Sequence, residues 1–134
     1  IKVINDSKST SFSSTQELID TKKKTFWILG GLPKKGDKFT LSKNDCSNLR
    51  AYIFGKNADF FEKRLKDKVH YQKFNNMISA IKKIKIDFKK EQKSKEKIIL
   101  FSPASASFDN FKNFEERGRY FNSQLKKTGI NGKK

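Results

Sequence analysis

The chain has 134 residues, the size of one domain, and carries 31 Lys+Arg against 14 Asp+Glu for a formal charge of +17. One cysteine, Cys46, and one histidine, His70, exclude an internal disulfide and a zinc site of the usual His/Cys kind, and no apolar run reaches the ~20 residues that span a bilayer. Mean hydropathy is low at −0.80, yet thirteen Phe, three Tyr and one Trp with only two prolines argue for a folded basic domain rather than a disordered one.

From the amino terminus, Lys2–Ile4 is a short apolar run of strand type, followed by the hydroxyl-rich turn Asn5-Asp6-Ser7-Lys8-Ser9-Thr10. A weak helix is expected from Phe12 to Asp20. TFWIL at Thr25–Leu29 is a second strand, and Gly30-Gly31-Leu32-Pro33-Lys34-Lys35-Gly36-Asp37 leaves it. RAYIF at Arg50–Phe54 is a third strand. Ala58, Phe61 and Leu65 then step by three and four, a helical spacing. Val69–Phe74 is a fourth strand, followed by a helix on Met77, Ile81, Ile84 and Phe88. KIILF at Lys97–Phe101 is a fifth strand, and its exit loop is Ser102-Pro103-Ala104-Ser105-Ala106-Ser107. The last helix carries Phe111, Phe114, Phe121 and Leu125 on one stripe, with Gly118 on the packed side. Residues 128–134, TGINGKK, are expected to fray. Strands alternating with helices make this an α/β chain with an open, mostly parallel sheet.

The basicity is mostly lysine, 27 against 4 arginines. Readers of nucleic acid favour the bidentate arginine fork, so the charge alone argues poorly for such a role. The dense stretch from Lys82 to Lys97 reads as a solvated helix end and loop. A Lys-, Asn-, Ile- and Phe-rich composition is also what a lysine-biased proteome produces. The chain opens on Ile1 rather than Met, which reads as a piece of a longer protein.

In an open parallel sheet a ligand sits beyond the carboxyl ends of the strands. Three loops leaving those ends carry hydroxyls, lysines or glycines that a plain connection does not need, and together they point to an anionic ligand. Each has a plainer reading by itself. The Asn5–Lys8 stretch serves as a cap and turn. The Gly-Gly-x-Pro stretch is a tight turn without the spacing of nucleotide loops. Ser107 is an N-cap for the next helix. Cys46, His70 and Trp27 read as a loop thiol, a surface imidazole and a core aromatic.

INDSKST at Ile4–Thr10, ILGGLPKKGDKF at Ile28–Phe39 and LFSPASASFDNFKNFEERGRYF at Leu100–Phe121 together resemble the carboxy-terminal domain of the D-glutamate-adding members of the Mur ligase family. The resemblance covers residues 1 to about 127. It implies a Rossmann-like fold with helices on both faces of the sheet, serving as the amino-acid-binding domain of a three-domain cytoplasmic, monomeric enzyme of peptidoglycan synthesis. The amino-terminal UDP-binding and central ATPase domains would lie outside this chain, which by itself would be inactive. The implied reaction activates the carboxylate of UDP-N-acetylmuramoyl-L-alanine as an acyl phosphate, using ATP and Mg2+, and the D-glutamate amine then attacks it.

Residue by residue, the resemblance matches Asp6 and Lys8 to positions that contact ATP. Thr10 and Lys34 match the pair holding one carboxylate of D-glutamate, with Lys35 as the alternative if the register moves by one. Ser107 matches the hydroxyl on the other carboxylate, with backbone N–H groups near Phe108 beside it. Phe114 matches a position lining the amino-acid pocket. Ser105 stands where relatives often have cysteine, and Phe108 replaces a frequent leucine. No catalytic residue and no metal ligand is expected in this domain. The partners are D-glutamate, ATP, the UDP-linked substrate and the two missing domains, with no membrane and no specific nucleic acid. The rivals are a sibling Mur-type ligase adding another amino acid and, from a different class, a basic nucleic-acid-binding module.

Overall fold

A computed structural model of the chain describes residues 2–91, 96–107 and 111–130. Five strands, β1 (Lys2–Asn5), β2 (Lys24–Gly30), β4 (Leu49–Phe54), β5 (His70–Phe74) and β6 (Lys97–Phe101), form one sheet in the order β1-β6-β2-β4-β5. Every pairing in it is parallel. A two-stranded antiparallel sheet of β3 (Leu32–Pro33) and β7 (Ser105–Ala106), not foreseen from the sequence, sits beside it. The helices are α1 (Phe12–Gln16), α2 (Ala58–Leu65), α3 (Met77–Lys90) and α4 (Phe114–Lys127), with a short 3-10 turn at Asn44–Cys46.

The apolar runs are continuous because the central strands are covered on both faces. Trp27, Leu29, Ala51, Ile53, Ile98 and Leu100 pack with Phe12 of α1 and Phe61 and Leu65 of α2. Their neighbours Phe26, Ile28, Tyr52, Phe54, Ile99 and Phe101 pack with Met77, Ile81 and Ile84 of α3 and Phe121 and Leu125 of α4. Phe12 meets Trp27, Phe39 and Phe61 edge-on at centroid distances of 6.3, 5.6 and 6.1 Å, and Phe101 stacks on Phe121 at 4.5 Å. Such pairs add specificity to plain burial.

Side-chain caps start three of the helices: Ser11, Asn76 and Asn113 accept from the backbone N–H of Ser14, Ser79 and Glu116. The last of these corrects two expectations. The final helix begins at Phe114, so Phe111 lies outside it, packing against Tyr120 at 5.3 Å. Ser107 is not its cap; Asn113 is the better N-cap and is followed by Glu115 and Glu116, which suit the amino-terminal dipole. The first helix stops at Gln16, short of Asp20, because the chain leaves it through i→i+3 bonds from Leu18 to Thr15 and Ile19 to Gln16. Trp27 is fully buried and His70 exposed, as read. Cys46 lies in the connection between β3 and β4, as read, but in a 3-10 turn that buries it against the core, and burial, aided by Asp45, pushes its pKa up. Of residues 128–134, Thr128 donates its hydroxyl to the Leu125 carbonyl at 2.6 Å and Ile130 packs at the core edge; 131–134 lie outside the described residues.

Asp87 is the one buried carboxylate of α3. Tyr52 donates to it at 2.7 Å, Gln72 at 3.4 Å and Lys83 at 3.0 Å. Burial works to raise its pKa, but these three donors outweigh it and the net direction is down. Burial and the Asp87 charge push the Tyr52 hydroxyl up. A carboxyl with a lowered folded pKa stabilises the fold above the unfolded value of ~3.9, and that contribution disappears as pH falls through the folded value. Asp87→Asn should therefore cost about 1–3 kcal/mol at pH 7. In urea titrations the gap to the unsubstituted chain should stay level from pH 7 to pH 5 and shrink below about pH 4. A gap that widens on acidification would contradict the assignment.

Candidate ligand site at the carboxyl edge of the sheet

Strand order decides which loops meet. β1, β6 and β2 are consecutive in the sheet and parallel, so the loops that follow them leave one edge side by side. Backbone bonds join them beyond the strands: Asp6 N–H to the Phe101 carbonyl at 2.7 Å, Gly30 N–H to Pro103 at 3.3 Å and Ser105 N–H to Ser9 at 3.3 Å. The β3–β7 pairing, Leu32 with Ala106 and Pro33 with Ser105, ties the second loop to the third. The β6 loop thus lies in the middle, bonded to both neighbours.

Beneath the edge runs a chain of buried polar side chains. Ser102 donates its hydroxyl to Asp6 Oδ2 at 2.9 Å, and since that uses its proton, the 2.6 Å contact to Thr15 makes Thr15 the donor there. With the Thr15 proton used there, Ser9 is the donor of the 2.9 Å contact with Thr15, sharing its one proton with the Ser11 carbonyl at 3.4 Å. The relay is oriented, Ser9 to Thr15 to Ser102 to Asp6, and ends on the carboxylate, an arrangement in which each bond strengthens the next. Trp27 Nε1–H donates to the Ser102 carbonyl at 2.7 Å and anchors the relay to the core. The second loop turns at Lys34–Asp37, with Gly36 at φ +82° and Asp37 N–H bonded to the Lys34 carbonyl at 3.1 Å. Asp37 then accepts from Phe12 N–H at 2.8 Å, holding the lysine turn to the start of α1, two residues after Thr10.

The proposed ligand-facing residues differ sharply from this floor. Lys8, Thr10, Lys34 and Lys35 are exposed, and none of their side chains has a hydrogen-bond or ion-pair partner among the described residues. Ser107 follows β7 and is buried like the floor residues, at 4% exposed, but its hydroxyl is unengaged among the described residues. Asp6 belongs to the floor, with one carboxylate oxygen turned inward. Phe114 is 44% exposed at the first turn of α4, and its carbonyl accepts from Ser7 Oγ at 2.7 Å. Phe108 lies outside the described residues. Two grooves, of 270 Å³ along Arg50 and His70–Gln72 and of 390 Å³ between α3 and α4, include no residue of the three loops.

Several supporting residues escaped the sequence reading. Ser102 lies in a loop that the sequence singles out, but neither it nor Thr15 has a supporting role in that reading, and Asn57, which donates to the Gly31 carbonyl at 3.0 Å, comes from a distant turn. Arg117 did leave a signal: it sits three residues after Phe114 and four before Phe121, a charge on an apolar stripe.

Gly31 holds φ +127°, and a Cβ there would meet Ser105 Oγ at 2.6 Å and the Ala106 carbonyl at 2.9 Å. Gly36 at φ +82° has nothing within 4 Å. Gly31→Ala should therefore carry both strain and collision, about 2–3 kcal/mol, and should raise amide exchange at Leu32 and Ala106. Gly36→Ala should show only the left-handed cost, about 1–2 kcal/mol. Equal losses for the two would mean that the β3–β7 pairing does not depend on the absent side chain.

No family model matches the chain. Curated relatives do: it is 40% identical over 119 residues to the UDP-N-acetylmuramoylalanine–D-glutamate ligase of Wolbachia sp. subsp. Brugia malayi, covering 88% of this chain and 23% of that protein. It is 36% identical over 118 residues to the ligase of that name in Mesorhizobium japonicum, and 33% identical over 125 residues to the one in Agrobacterium fabrum, covering 88% and 93% of this chain and 25% and 26% of those proteins. The chain spans about a quarter of the length of the curated relatives it matches. Similarity at this level along nearly the whole chain, on the α/β fold expected for it, shows that the chain belongs to the family of the UDP-N-acetylmuramoylalanine–D-glutamate ligases and corresponds to their carboxy-terminal domain.

Proposed function

We propose that this chain, residues 1–127 in particular, is the amino-acid-binding domain of an ATP-dependent ligase that joins D-glutamate to UDP-N-acetylmuramoyl-L-alanine. The observation that supports this most is the convergence of the three family-matching loops on one sheet edge, where Lys8, Thr10 and Lys34 stand exposed and unengaged among the described residues. D-Glutamate carries two carboxylates and one amine. Lys34 supplies an ion pair and Thr10 a hydroxyl to one carboxylate. Ser107, with backbone N–H groups beside Phe108, receives the other. Fixing both ends aims the amine, so the contribution of this domain is positional. Phe114 walls the side of that pocket. Lys8 meets phosphate and Asp6 the ribose of ATP, with Lys35 taking the place of Lys34 if the register moves by one.

The chemical step is attack of that amine on an acyl phosphate of the UDP-linked substrate, with phosphate leaving. On the family resemblance, Mg2+ and the phosphate-activating groups are assigned to the remainder of the enzyme. Among the described residues no helix is long and apolar enough to cross a membrane. On the family resemblance alone, we place the enzyme in the cytoplasm, as a monomer.

The test is phosphate release by the full-length enzyme with UDP-N-acetylmuramoyl-L-alanine, ATP and Mg2+, comparing D- with L-glutamate. Release should require the D-isomer. Lys34→Ala and Ser107→Ala should each raise KM for D-glutamate about 10- to 100-fold, the equivalent of a charge-assisted hydrogen bond of about 1.5–3 kcal/mol, and leave KM for ATP within about twofold. A larger effect of Lys35→Ala would move the lysine role by one residue. Release with a different amino acid would transfer the chain to a sibling ligase, and none with any amino acid would overturn the reading.

A further inference from the structure

We propose that Arg117 is a positioning residue that couples the nucleotide-facing loop after β1 to the amino-acid-facing loop after β6. The functional half of this inference rests on the D-glutamate ligase reading; the structural half does not. Arg117 lies on α4 and is 1% exposed, the largest buried side chain after Trp27. Its guanidinium reaches both loops. Nε–H donates to Ser7 Oγ at 3.2 Å, Nη2–H donates to the Ser7 carbonyl, and Nη1–H approaches Ser105 Oγ at 3.5 Å. Ser105 in turn gives its hydroxyl proton to the Gly30 carbonyl at 2.6 Å, which brings in the loop after β2.

The neighbouring residues make this reach possible. Ser7 Oγ donates to the Phe114 carbonyl at 2.7 Å, and Asn5 Nδ2 donates to the Gly118 carbonyl at 2.8 Å, so α4 is docked along the first loop. A Cβ on Gly118 would lie 3.1 Å from the Ser7 Cβ. Glycine at 118 therefore lets the helix come close enough for the adjacent arginine to lie across the gap. A planar fork with fixed donor directions sets distances between its acceptors; an ammonium on a flexible stem does not. Ser7 is next to Lys8, and Ser105 is two residues before Ser107. Any change in the seat of the guanidinium moves both ligand-facing side chains together, and Arg117, 1% exposed, acts through these loops.

The experiment compares Arg117→Lys, which keeps the charge and loses the fork, with the unsubstituted full-length enzyme. The first readout needs no substrate: amide hydrogen exchange in residues 5–11 and 102–107. Exchange should accelerate in both segments together. The second is steady-state kinetics, in which KM for ATP and KM for D-glutamate should both rise by about tenfold, where loss of a clamp on one substrate moves a single KM. A purely structural effect would lower the folded fraction and hence the apparent kcat, with both KM values unchanged. Should Arg117→Lys fail to fold, Ser105→Ala removes one end of the link and should accelerate exchange in residues 5–11, on the far side of the guanidinium. Acceleration confined to the substituted segment, or both KM values within twofold of the original in a folded Arg117→Lys enzyme, overturns the proposal. Absence of D-glutamate-dependent turnover in the unsubstituted enzyme would overturn the ligase reading alone, because the exchange experiment still decides the coupling.

Discussion

The placement of β6 between β1 and β2 is the constraint on which the rest of this structure depends. In a parallel sheet all strands end at the same edge, but only neighbours bring their loops into bonding range. With the order β1-β6-β2, a loop from the carboxy-terminal part of the chain lies between two from its first third. It bonds to one through Ser105 N–H and Ser9 and to the other through the β3–β7 ladder. Were β6 not beside β1, the hydroxyl relay from Ser9 to Asp6 could not pass through Ser102, and were it not beside β2, Ser102 N–H could not bond the Ile28 carbonyl. The strand can hold the central place because its side chains are apolar on both faces, Ile98 and Leu100 toward α1 and α2, Ile99 and Phe101 toward α3 and α4.

This edge has two layers with opposite demands. The lower one is buried and internally bonded: Ser9, Thr15 and Ser102 pass hydroxyl protons toward the Asp6 carboxylate, with Ser9 also reaching the Ser11 carbonyl. Burial makes each of these bonds costly to lose, which holds the loops in one geometry. The upper layer keeps its lysines and hydroxyls unengaged among the described residues, and so keeps them available. A ligand that brings its own negative charges can then bind without first breaking protein–protein bonds. Rigid support beneath available donors is what positional catalysis requires, since a side chain that must reorganise loses the benefit of being held near its target.

Much of this could be read from the residues, and the limits have physical causes. The runs read as strands match every strand of the main sheet to within a residue at either end; β2, β4 and β6 are legible because burial on both faces makes them apolar almost throughout, while the edge strands β1 and β5 are partly exposed. The helix on Ala58, Phe61 and Leu65 follows from spacing alone. Reading failed where a local cap outweighed periodicity: Phe111 fits the stripe of the last helix, yet Asn113 begins it two residues later. It failed also for β3 and β7, two residues each, whose pairing is set by where the loops are carried rather than by any pattern of their own. At the site, the lysines and hydroxyls could be matched by resemblance, whereas the partnerships beneath them join residues far apart in the chain, 110 positions for Arg117 with Ser7 and 113 for Asn5 with Gly118. Such pairs have no signature along the chain.

The division of labour between the two cations explains why so strong a positive charge need not mean a nucleic-acid surface. Three of the arginines are engaged with protein. Arg117 links two loops from inside, and Arg64 lies over the Phe60 ring at 3.4 Å while donating to the Asp37 and Phe60 carbonyls. Arg50 bonds Glu91 at 3.1 Å. The planar forks that would read base edges or clamp phosphates in pairs are thus largely committed to holding the fold. What faces outward is lysine, a hydrated point charge that attracts anions without fixing their orientation. Orientation at the sheet edge has to come from hydroxyls and backbone held in place from below, and Arg117 is part of what holds them.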